Sequence, residues 1–130
     1  CEQMMEEEGY IRDARSRLYR LKDQLWRAVR VEVDAGLHVG GWSPRRAADA
    51  MVRGAMLEPA NAEAEVSRYC TSPTQPMSYL IGKIEILKLR ERCRRAWGPG
   101  FTLKKFHDCL LDFGSIPPSW IQAPAGKMLE

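Results

Sequence analysis

Nothing in this chain of 130 residues approaches the run of about 18 apolar residues that a membrane-spanning helix requires, so no membrane partner is expected. Strand-like alternation is missing, as are internal repeats and low-complexity linkers, which leaves helices to build the fold. The four cysteines (Cys1, Cys70, Cys93 and Cys109) contain no C-x-x-C pair. Such scatter suits free thiols in a reducing compartment better than a disulfide framework or a zinc knuckle, and the expected location is cytoplasmic. A net charge of +3 is low for a dedicated nucleic-acid binder. The basic run over residues 88–95 spreads around a helix and has no aromatic stacking platform beside it, so nucleic acid is not an expected partner. A capping residue is also missing at the start, where Glu2-Gln3-Met4-Met5 reads as mid-helix, and the chain is expected to continue upstream.

Helix signals fill the chain instead. Gly9 closes a first helix. A second is predicted over about residues 13–35, where Leu18, Leu21, Leu25, Ala28, Val29 and Glu32 keep helical spacing and Gly36 is the stop. Ser43-Pro44 starts a third over about 44–57, with a hydroxyl to cap free amides and a proline at the first helical position. Its small side, Ala47, Ala48, Ala50 and Ala55, allows a neighbour to approach closely. Asn61 is expected to cap a fourth helix over about 62–70. A fifth covers about 76–97 with Leu80, Ile84, Leu87 and Glu91 along one stripe, until Gly98-Pro99-Gly100 breaks it. Thr102 caps a sixth over about 103–113, closed by Gly114, and a short turn follows Pro117-Pro118. The length suits one core better than two. The expectation is a single all-α segment over residues 1–130, about six helices joined by short loops.

The densest chemistry surrounds the Pro73-x-x-Pro76 break, which ends one helix and starts another. Arg68, Tyr69, Gln75, Tyr79 and Lys83 would meet near that junction, as polar groups do in substrate clefts. Tyr79 and Lys83 lie four residues apart on the fifth helix. A tyrosine hydroxyl can donate to an oxyanion in a transition state, and a lysine or arginine can hold a carboxylate. A packed tyrosine and a solvated lysine would show the same spacing. Arg68 can equally form a local pair with Glu65, or point with Tyr69 into the cleft. His38, with Asp34 one turn before it, can form a carboxylate–histidine couple or serve as a structural hydrogen bonder in a loop. Trp42 reads as a lid on the start of the third helix. His107 has no His or Glu three or four residues away and reads as structural.

Asp34-x-Gly36-x-His38-x-x-Gly41-Trp42-Ser43, Tyr79-x-x-Gly82-Lys83, Phe106-His107-Asp108 and Gly114-Ser115-Ile116-Pro117 follow in a recognisable order and spacing. With them the chain resembles, from about residue 1 to about residue 120, the C-terminal part of the bacterial family called domain of unknown function 885 (DUF885). That family in turn resembles zinc metallopeptidases of the gluzincin type, helical enzymes with a His-Glu-x-x-His or similar ligand pair and a distant glutamate. The resemblance implies a C-terminal segment of a larger helical zinc-peptidase-like fold. In the intact parent, upstream residues would bind Zn²⁺ and activate water, and a peptide would be the substrate. This segment lacks the zinc motif, so by itself it is expected to carry no metal or other cofactor and to hydrolyse nothing. Its implied partner is the missing N-terminal part of the same chain, and the apolar surface left there would favour self-association.

Within the segment the resemblance makes Tyr79 the oxyanion donor and His38 a second one. Lys83 and Arg68 would bind a carboxylate or orient the peptide, with Tyr69 and Gln75 assisting. Pro76 departs from the alanine that the family often has there. A non-catalytic helical interaction or structural module is the alternative from a different class.

Overall fold

A computed structural model describes residues 2–122. The described chain is all-helical, with no strand among those residues. Six α-helices follow in order: α1 (Glu2–Glu7), α2 (Ala14–His38), α3 (Pro44–Ala55), α4 (Pro59–Cys70), α5 (Gln75–Trp97) and α6 (Leu103–Asp112). Single 3₁₀ turns occupy Gly98–Gly100 and Trp120–Gln122. The helices divide into two compact units, Cys1–Leu80 and Ile81–Glu130, with the boundary inside α5.

In the first unit, α2, α3 and α4 enclose a core of Val33, Ala47, Met51, Ala55, Ala62, Val66 and Tyr69. Burying each larger side chain there contributes about 1.5–3 kcal/mol. The small side of α3 works as expected, since Ala47 and Ala55 are fully buried. Gly54 extends it: a methyl group there would lie 3.0 Å from Val29 of α2. Asp13 caps α2 through Ser16 N at 2.8 Å, and Ser43 caps α3 through Arg46 N at 3.2 Å. Ahead of α2, Glu6 pairs with Arg17 and Arg20 and ties α1 to it.

Three expectations are corrected here. Gly36 does not stop α2, which runs on to His38. The Trp42 ring rests on Gly36, where a Cβ would come within 2.4 Å of it, so this glycine serves packing rather than termination. Arg46 stacks over that indole at 4.3 Å, which makes Trp42 the lid on α3 that the sequence suggested. The fourth helix starts at Pro59 rather than after Asn61, because a proline at the first helical position already sets the turn. On α2, Leu18, Leu21 and Leu25 remain exposed, and only the later part of that stripe meets the core.

The second unit is built on Leu89, Cys93, Phe106 and Ile121, with Ile86, Trp97, Phe101, Leu110 and Phe113 packed around them. The buried stripe of α5 is therefore Ile86, Leu89, Cys93 and Trp97. Ile84 and Leu87 of the expected stripe are exposed instead. Thr102 caps α6 through Lys105 N at 3.1 Å, and Gly114 at φ +64° ends it in a left-handed conformation.

Candidate functional site

The α4–α5 break lies in the first unit and is tied down from α2. Thr74, the last residue before α5, has φ +68°, a conformation that costs a β-branched residue about 1–2 kcal/mol. Its amide donates to Asp34 Oδ1 at 3.3 Å. Asp34 is only 1% exposed, and its other oxygen is buried without a partner. His38 completes the anchor. Its Nε2 lies 3.1 Å from the Tyr69 carbonyl oxygen and 3.4 Å from Asp34 Oδ1. The Tyr69 carbonyl can only accept, so Nε2 carries the hydrogen and donates it back into the chain.

These contacts belong to one row on α2. Trp26, Arg30, Asp34 and His38 recur every four residues and so share a helix face. Trp26 Nε1 donates to the Tyr69 hydroxyl at 3.2 Å, and the Arg30 guanidinium lies over the Tyr79 ring at 4.7 Å. Tyr69 has no exposed surface. Burial and a hydrogen bond to Glu65 push its phenol above the ordinary range, although the Trp26 bond pulls the other way. Burial would likewise raise the Glu65 carboxyl. Hydrogen bonds from Arg68 and Tyr69, with the nearby charges of Arg68 and Arg30, outweigh that and hold it below the usual value.

Glu65 accepts from Arg68 Nη2 at 2.7 Å, and Arg68 Nη1 donates to Gln75 Oε1 at 3.3 Å. Gln75 Nε2 then donates to the Tyr79 hydroxyl oxygen at 3.4 Å. The direction is forced along this chain. A guanidinium can only donate, so the carbonyl end of Gln75 must face Arg68 and its amide hydrogens must face Tyr79. The phenol oxygen therefore accepts, and its own hydrogen is left for a third group. Tyr79 is 59% exposed, so that group can come from outside.

The structure thus gathers five of the six expected residues (Tyr79, Gln75, Arg68, Tyr69 and His38) into one polar network. Their placements differ. Tyr69 is a buried support, and Arg68 has its guanidinium ends taken by Glu65 and Gln75 while its face covers the Tyr69 ring at 4.8 Å. His38 ends α2 rather than lying in a loop. Lys83 belongs to the second unit, where it is exposed. His107 is an exposed residue of α6 beside Phe106, and its neighbour Asp108 pairs with Lys104 at 2.6 Å.

Arg30 was not among the expected residues. The four-residue row from Trp26 to His38 was the signal that could have found it. A hollow of about 190 Å³ beside it is lined by Asp23, Trp26, Arg27, Arg30, Glu65 and Arg68. A wider groove of about 730 Å³ between α3 and α4, reaching from Pro44 to Cys70, contains none of the network. Among the described residues, no three of His, Cys, Asp or Glu gather closely enough to hold a metal ion. These residues alone do not fit zinc.

Residues 1–123 match the model of a family described as "Bacterial protein of unknown function (DUF885)". The chain belongs to this family. This DUF885 chain is also similar to a solved structure, the "putative lipoprotein from Colwellia psychrerythraea", with 34% identity and a TM-score of 0.87 over 98% of its own length. It spans 22% of the length of that Colwellia chain. No curated protein matches it. Among the described residues, no helix of this DUF885 chain is long and apolar enough to cross a membrane.

Proposed function

We propose that this DUF885 chain forms one wall of a substrate cleft in a zinc-dependent peptidase of the gluzincin type, the intact parent. One observation carries the reading: Tyr79 is exposed, its oxygen already accepts from Gln75, and its hydrogen is free to donate outward. Such a donor, aimed before the reaction starts, suits a carbonyl oxygen that gains negative charge as a peptide bond is attacked. Arg30 fixes the ring from its face, and Arg68 fixes Gln75. Asp34 and His38 act at one remove, since they hold the break on which Gln75 and Tyr79 stand. His38 thereby becomes a positioning residue rather than the second oxyanion donor. The zinc of such a parent would rest on residues outside this chain, and no role given to these side chains depends on it.

Tyr79→Phe in the intact parent tests the assignment. A large fall in turnover with the fold preserved is expected; wild-type turnover would sink it. A second reading, a non-catalytic interaction module, draws on the exposed Leu18, Leu21 and Leu25 of α2. Polar replacements there would abolish assembly or self-association if that reading is right, with Tyr79→Phe silent. For location, free Cys70, Cys93 and Cys109 favour the cytoplasm, which we retain. The description of the Colwellia neighbour favours a membrane-anchored parent, and fractionation of the parent decides between them.

A further inference from the structure

We infer that Arg30 and the hollow beside it form a carboxylate-binding subsite, which takes a carboxylate of a peptide bound next to Tyr79. The inference rests on the cleft reading above and adds the class of substrate. Arg30 is held by one face, against the Tyr79 ring at 4.7 Å, while its Nε is buried with no acceptor. A guanidinium whose buried Nε has no acceptor keeps its charge uncompensated, and an anionic oxygen in the hollow beside it would offset that charge. The planar fork of a guanidinium also matches a carboxylate better than it matches a neutral amide.

The neighbours sharpen the contrast. Arg68 lines the same hollow but is committed to Glu65 and Gln75, so it neutralises Glu65 and leaves little for a ligand. With Glu65 paired, Asp23 is the other carboxylate of the lining, set against Arg27 and Arg30. The balance therefore favours an anion. About 190 Å³ is below the size of a typical drug-sized pocket and suits a single carboxylate-bearing residue. That carboxylate can be a chain terminus or an acidic side chain, since both offer the same two oxygens.

Calorimetric titration of the chain with three peptides tests this: acetyl-Ala-Ala with a free terminus, the same peptide as its amide, and acetyl-Glu-Ala amide. At least one carboxylate-bearing peptide should bind about tenfold or more tighter than acetyl-Ala-Ala amide, and which one does so identifies the source. Arg30→Gln should erase that preference, and Arg30→Lys should restore part of it. Equal binding of all three peptides, binding of none, or an unchanged preference in a folded Arg30→Gln would overturn the inference. If Arg30→Gln fails to fold, the comparison of the three peptides on the unaltered chain decides alone. Tyr79→Phe keeps the ring under the guanidinium and should leave the preference intact even where parent turnover falls, so the subsite and the oxyanion assignment can fail separately.

Discussion

In the first unit, hydrogen bonds from Trp26 to Tyr69, from His38 to the Tyr69 carbonyl and from Thr74 to Asp34 span 43, 31 and 40 positions of sequence. In the second, the pairs Lys88–Glu85, Arg94–Glu91, Arg95–Glu91 and Lys104–Asp108 span three or four. The long bonds are buried or half-buried and join different elements at one break. The short ones decorate exposed helix surface and are individually worth little. The cores differ in the same sense. Leu89, Cys93, Phe106 and Ile121 include no Asp, Glu, Lys or Arg, whereas the core of the first unit has Asp34 buried alongside it. A buried carboxylate is expensive unless it is bonded. Its presence where Thr74, His38 and the α5 start converge makes the first unit one held by long-range polar bonds as well as packing, and the second one held by apolar packing.

That contrast can be broken by substitution. Phe106→Ala in the second unit should have the largest effect on stability, about 3–5 kcal/mol, because it empties the centre of an apolar cluster. Chemical denaturation measures it, and a loss below about 1 kcal/mol would contradict the packing account. Asp34→Ala in the first should cost about 2–3 kcal/mol, by unpairing the Thr74 amide and the His38 ring. It should also lower parent turnover, since the break that carries Tyr79 loses its anchor; unaltered turnover would deny Asp34 its positioning role. Thr102→Ala removes only the cap of α6 and should cost about 1 kcal/mol, again by denaturation.

The smallest effect is in acid. Glu65 is held below its ordinary value in the fold, so its contribution is complete above about pH 4.5 and is lost as pH falls through the depressed value. Melting temperature should therefore fall in that acid window by more in the wild type than in Glu65→Gln. Identical acid profiles would remove Glu65 from the network.

Much of the fold was legible because caps are local. Ser43-Pro44 and Thr102 start their helices through bonds three residues away, which a sequence displays directly. What was not legible depended on partners far along the chain. Gly36 looks like a stop until the Trp42 ring is placed on it. On α5, apolar residues occur on more than one side, and spacing alone does not choose Ile86, Leu89 and Cys93 over Ile84 and Leu87. The candidate site was legible around Pro73 and Pro76, where residue types crowd together. Arg30 was not, because nothing beside it in sequence distinguishes it from Arg27. Only the row Trp26, Arg30, Asp34 and His38, each member joined to the α4–α5 region, separates it from an ordinary solvated arginine.

The central claim is that Tyr79 offers its hydroxyl hydrogen to a reacting group. The most direct test is single-turnover hydrolysis by the intact parent carrying Tyr79→Phe, beside Tyr19→Phe as a control on an exposed tyrosine of α2. The account predicts a fall of about 100- to 1000-fold for Tyr79→Phe, with an unchanged melting temperature and no effect of Tyr19→Phe. Equal rates in the wild type and both variants would contradict it.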